Sequence, residues 1–169
     1  MHFNRSFEYP NLPPSLPSEC RDARRPASMR FSAAVIDTNV VVAGLLTGNA
    51  ESPTAGILDG MCKGALPFLL SSALLAEYRE VLLRKKIRTL HGLSEHDVDV
   101  LLTVLVTNAI IREPESRTGA PDTKDDHLWS LVQSEATCVL VTGDHALVES
   151  PPPRSHVLQP RQFMDLLSE

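Results

Sequence analysis

The stretch Ala33-Ala34-Val35-Ile36-Asp37-Thr38-Asn39 constrains this chain more than any other. Four small or apolar residues run into an aspartate, two polar residues follow, and a second apolar run extends from Val40 to Leu46. A short apolar run closed by a turn-like polar triplet reads as a buried strand. Being apolar at every position, it suits the interior of a parallel sheet covered on both faces. Asp37 then falls at the strand's carboxyl end, where open α/β sheets form their ligand crevices. The plan recurs where Thr137-Cys138-Val139-Leu140-Val141 runs into Thr142-Gly143-Asp144. Two such strands bring two carboxylates to one edge of one sheet.

Between them, helical and strand patterns alternate. Thr38–Leu46 reads as a short helix ended by Thr47-Gly48-Asn49, and Ser52-Pro53 opens a second helix with a serine cap and proline at its first position. Pro67–Leu70 reads as a strand, and Ser71 or Ser72 caps a helix running from Ala73 to about Ile87. Its apolar stripe comprises Leu74, Leu75, Tyr78, Val81 and Leu82, with Glu77 at the stripe's edge. Ser94 to Asp97 resembles a capping box for a helix through Leu105. Ala109–Ile111 is a short strand, and residues 113–124 form a polar loop. Asp125-Asp126 opens a further helix, His156–Leu158 is a last strand, and Pro160 starts a terminal helix. The alternation predicts βαβ units and a mostly parallel sheet.

Residues 1–30 differ from the rest. Pro10, Pro13, Pro14, Pro17 and Pro26, with Arg21, Arg24 and Arg25, describe a leader unable to bury much surface, expected to be flexible. Met29, just before the first strand, is a candidate translation start. The remaining residues, 31–169, are expected to form one domain, which the length of 169 residues allows.

Net charge is -5, which disfavours a general nucleic-acid coating protein. It leaves a nuclease open, because acids gathered around a metal stop repelling a polyanion once the metal is bound. The three cysteines, Cys20, Cys62 and Cys138, have no zinc spacing and no CxxC pairing, so reduced thiols in a cytoplasmic protein are expected. No stretch is long and apolar enough to span a membrane, and the N-terminus lacks an apolar signal-peptide core.

The candidate acids are Asp37 and Asp144 at strand ends, Glu77 at a helix edge, and Asp125 and Asp126 at a helix start. Each alone has a plain explanation as a cap, a turn or a boundary residue. Gathered at one sheet edge they would repel one another, and such a cluster persists only when protons or cations neutralise it. All-oxygen ligands point to a hard divalent ion, Mg²⁺ or Mn²⁺. A carboxylate-held ion suits phosphodiester hydrolysis and needs no side-chain nucleophile. The glycine-rich turn of a dinucleotide site and the P-loop are both absent. A haloacid-dehalogenase-type phosphatase would need an acid where Asn39 stands. His127 and His145 each neighbour a candidate acid, and solvent-exposed placement is expected for both. Arg79, Arg84, Lys85, Lys86 and Arg88 form a basic cluster. It reads either as a solvated helix end or as a phosphate-contacting patch.

In order and number, five stretches together resemble the PIN domain family, particularly its VapC-like toxin components. They are Val35–Val40, Ser72–Leu82, Asp122–Leu128, Val139–Asp144 and Leu158–Phe163. The resemblance implies a three-layer α/β/α sandwich around a mostly parallel sheet. It implies a Mg²⁺- or Mn²⁺-dependent endoribonuclease, typically a homodimer, held inactive by a cognate antitoxin. Carried over residue by residue, the four catalytic and metal-holding acids fall on Asp37, Glu77, Asp126 and Asp144, with Asp125 or Asp122 as alternatives for the third. Asn39 and Thr142 match polar positions that order the site, and the basic cluster would position RNA. Two other readings stand beside this one: an RNA-processing or DNA-acting nuclease without an antitoxin, and a non-catalytic RNA- or partner-binding module.

Overall fold

A computed structural model describes residues 31–168. The expectations for the leader, for Met29 and for Cys20 lie outside the described residues. The strands are Ala33–Ile36 (β1), Phe68–Leu70 (β2), Ile110–Ile111 (β3), Cys138–Val141 (β4) and His156–Leu158 (β5). They pair in parallel throughout, in the order β3-β2-β1-β4-β5. The chain steps outward from β1 through β2 to β3, then crosses to the other side of β1. The switch point of this parallel sheet therefore lies between β1 and β4, where such sheets open a crevice at their carboxyl ends. Ala33–Ile36 pair residue for residue with Cys138–Val141, and every residue of both strands is buried. Their apolar runs are what a strand covered on both faces requires.

The helices are Thr38–Leu46 (α1), Pro53–Cys62 (α2), Ser72–Leu83 (α3), Lys85–His91 (α4), Glu95–Asn108 (α5), Asp126–Val132 (α6), His145–Glu149 (α7) and Pro160–Ser168 (α8). A 3-10 turn over Thr123–Asp125 precedes α6. Capping follows the sequence signals. Ser52 Oγ accepts from Ala55 N–H beside a first-turn proline, Ser71 Oγ accepts from Leu74 N–H, and Ser94 and Asp97 complete a capping box. The two halves of the core meet around Tyr78, Phe68, Ile36 and Leu74, all essentially inaccessible to solvent.

Two elements differ from expectation. The helix read from Ala73 to Ile87 is two helices, because Arg84 adopts an extended conformation (φ -57°, ψ 131°) that closes α3 and opens α4. The break frees the Leu82 carbonyl, and the His91 ring covers it at 2.9 Å. His91 Nδ1 accepts from Leu93 N–H, so Nε2 carries the proton and donates to Leu82. Gly92, at φ 70°, supplies the left-handed residue that ends α4. The second difference is α7, a helix of five residues that the sequence pattern does not announce.

Among the described residues, no helix is long and apolar enough to cross a membrane. Cys138 is buried, Cys62 is half-buried, and both are free thiols. Burial raises both, Cys62 to about 11 and Cys138 to about 12, so neither is a thiolate at neutral pH.

Candidate active site

Asp37 is the residue that ends β1 and caps α1, and it is only 7% exposed. Its backbone N–H donates to the Val141 carbonyl, continuing the β1–β4 ladder into the site. Its Oδ2 accepts from Thr142 Oγ1 at 2.6 Å and from Asn39 Nδ2 at 2.8 Å. Thr142 Oγ1 in turn accepts from Asp144 N–H at 2.9 Å, and Asn39 Oδ1 accepts from Gly143 N–H at 3.1 Å. Thr142 and Asn39 thus tie the tips of β1 and β4 together and fix one edge of the Asp37 carboxylate. Behind this layer, the buried Tyr78 hydroxyl donates to the Ile36 carbonyl, which ties α3 to the end of β1. Burial pushes the Asp37 carboxyl up, the Thr142 bond opposes this, and the Glu77 charge adds to it.

Glu77 projects from α3 into the same region, half-buried. His127 Nε2 stands 2.5 Å from its Oε2. His127 Nδ1 lies 2.7 Å from the Lys124 carbonyl. Both ring nitrogens therefore face acceptors, an arrangement that favours the protonated ring. The two partners shift accordingly. His127 holds the Glu77 carboxyl below its usual range against the opposing effect of burial, and the Glu77 carboxylate raises His127. The buried Thr38 hydroxyl also helps hold Glu77 low. His145 is exposed, as expected, and its ring meets only the Gln159 amide, at 3.4 Å. The expectation of an exposed His127 is corrected: 23% of its side chain is accessible, and it is the cation of this acidic pocket.

At the third acid, the structure distinguishes the expected Asp126 from its alternatives. Asp126 Oδ1 accepts from the N–H groups of Gly119 and Ala120, at 3.1 and 3.0 Å, and so anchors the 112–122 loop to the start of α6. Its neighbour Asp125 is the aspartate that senses the cluster. Burial first, then the charges of Asp37, Asp122, Asp144 and Glu77, push its carboxyl up to about 6. Asp122 is exposed and caps the 3-10 turn through Lys124 N–H. Asp144 caps α7 with one carboxylate oxygen, accepting from Ala146 N–H at 2.8 Å. Beside it, Asn39, Val40, Ala43, Thr54, Gly143 and Pro160 complete an open groove of about 390 Å³.

The basic cluster divides. Arg79 is committed to α5, with its guanidinium 2.7 Å from Glu95 and 2.8 Å from Asp99. Arg84 pairs with Glu80 at 2.8 Å. These two are corrected from phosphate contacts to inter- and intrahelical ties. Lys85, Lys86 and Arg88 are exposed and make no ion pair with the described residues, and Lys85 and Arg88 line an open groove of about 490 Å³.

Among the described residues, no three His, Cys, Asp or Glu side chains converge closely enough to hold a metal ion. The donor chemistry nevertheless fits a hard divalent cation. Asp37, Glu77, Asp125 and Asp144 offer only oxygen, neighbouring acids push Asp37 and Asp125 up, and one buried Glu77 oxygen has no aligned donor.

The sequence pattern of the PIN domain matches residues 33–146, more than half of the chain. This chain belongs to the PIN domain family, and its fold is a nuclease-type fold; PIN domains are generally nucleases and generally use divalent metals. Among solved structures it is similar to the PIN domain of T. brucei RRP44, at 14% identity over 80% of each chain and a TM-score of 0.48. No curated protein matches it.

Proposed function

We propose that this chain is a divalent-metal-dependent endoribonuclease, and that it acts as the toxin of a toxin–antitoxin pair. The observation that supports the nuclease reading is that Asp125 lies within electrostatic reach of Asp37, Glu77 and Asp144, with its carboxyl pushed up to about 6 by burial and by these charges. Perturbed carboxylates in a crevice at a sheet's switch point are the expected signature of a site that binds a cation. The toxin reading rests on the resemblance of the five sequence stretches to VapC-like proteins. A cognate antitoxin and a homodimer are its implied partners.

In this reading Asp37, Glu77, Asp125 and Asp144 hold Mg²⁺ or Mn²⁺. Bound there, the ion supplies an activated water and neutralises charge on the phosphoryl group. The protein's own part is positioning. Thr142 and Asn39 hold Asp37 from one side, so its remaining oxygen is presented in a fixed direction. Lys85, Lys86 and Arg88 meet the RNA backbone, where phosphate contacts steady the strand without reading its sequence.

The test is cleavage of a labelled structured RNA by the full chain in Mg²⁺, Mn²⁺ or EDTA, beside Asp37→Asn. Metal-dependent cleavage that falls at least about a hundredfold in the variant, with its fold retained, is the expected result. Tight RNA binding without turnover would favour a binding module instead. Cleavage at the wild-type rate by Asp37→Asn would refute the assignment.

A further inference from the structure

His127 packs against Glu77, and its placement is specified from two sides. The Lys124 carbonyl fixes Nδ1 at 2.7 Å, and the ring then delivers Nε2 to within 2.5 Å of Glu77 Oε2. Both atoms of that contact are shielded from solvent. The carboxylate assigned above to the metal set is thus already engaged by the His127 ring. Resting on the nuclease reading above, we propose that His127 is a positioning residue that competes with the divalent cation for Glu77, so that Glu77 enters the metal site only on leaving His127.

The physical argument is one of populations. If the ligating arrangement requires a free Glu77 carboxylate, the apparent affinity for the cation is the intrinsic affinity multiplied by the fraction of chains in which Glu77 is free. A close ion pair in a partly dehydrated pocket keeps that fraction small. Without the cation, the same pair balances one of the acid charges and favours the folded chain. His127 therefore sets the cation concentration at which the site assembles.

The measurement is Mn²⁺ binding to the full chain by calorimetry, without RNA, for the wild type, His127→Gln, His127→Ala and Arg84→Gln. Melting in EDTA confirms that each variant is folded, and using two His127 variants guards against the failure of one. Tightening of roughly fivefold or more in both His127 variants, absent in Arg84→Gln, is expected. Arg84 also acts on Glu77 through its charge, so Arg84→Gln separates competition from mere loss of positive charge. Equal tightening in Arg84→Gln overturns the proposal, as does unchanged or weaker binding in the His127 variants. Absence of Mn²⁺ binding by the wild type would overturn the nuclease reading and this proposal together. Wild-type binding that ignores His127 would overturn this proposal alone.

Discussion

At Asp125 and Asp126, two chemically identical side chains, adjacent in the chain, perform different work. Asp126 is tied to two loop N–H groups, and Asp125 is pressed among other acids. The difference predicts a pH signature in EDTA. Asp125 titrates near 6 in the folded chain, against 3.8 for an unperturbed carboxyl. Between those values the folded state holds a proton that the unfolded state has released. This group therefore makes stability fall as pH rises through that window, and above about pH 6 its charge is a standing cost. Asp125→Asn should raise the melting temperature at pH 7.5 and leave it nearly unchanged at pH 3.5. A variant that melts lower than wild type at pH 7.5 would contradict this electrostatic account. The positions of Asp37 and Asp144 were legible in the sequence because a strand end fixes where a residue sits. The choice between Asp125 and Asp126 was not, because it depends on which way a side chain points at a helix start. Nor was His127 legible, since nothing local separates it from the chain's five other histidines.

Among the elements, α1 and α2 are set by how closely their backbones approach. A Cβ on Gly44 would lie 2.5 Å from the Thr54 carbonyl oxygen and 3.0 Å from Leu58 Cβ. Replacing a helical glycine by alanine ordinarily gains about 1 kcal/mol from reduced backbone freedom. Here the added methyl meets main chain, which cannot rotate aside, and overpacking costs about 1–3 kcal/mol. Gly44→Ala is therefore expected to lower the urea midpoint, and a raised midpoint would show that α2 can shift freely. All five strands and most helix starts could be read from the sequence, because buried parallel strands and serine caps leave plain signals. The break at Arg84 left none. It involves no glycine or proline, and the Leu82 carbonyl it frees is satisfied by His91, nine residues away, so only the folded arrangement reveals it. The short α7 was missed for a related reason: five residues are too few to show a helical period.

For the whole molecule, the site is the meeting point of one parallel sheet and the helices that enter and leave it. A cation that binds the folded chain and not the unfolded one stabilises it by about 2.7 kcal/mol at a hundred times its dissociation constant. Adding Mg²⁺ to the EDTA-treated chain should thus raise its melting temperature, and Asp37→Asn should abolish most of the rise. An equal rise in that variant would place the cation elsewhere.

The bond between Asp37 and Thr142 spans 105 residues of chain. During synthesis, the stretch through α3 leaves the ribosome with Asp37 and Glu77 already made but with nothing to order them. Strand β4, Cys138–Val141, with Thr142 and Asp144 just beyond it, emerges long after both. Long-range parallel pairing is the slow part of folding. A nascent or prematurely terminated chain therefore carries two of the acids without an assembled centre, and competence arrives late and all at once. Under the ribonuclease reading proposed above, that delay separates the translating ribosome from the finished site.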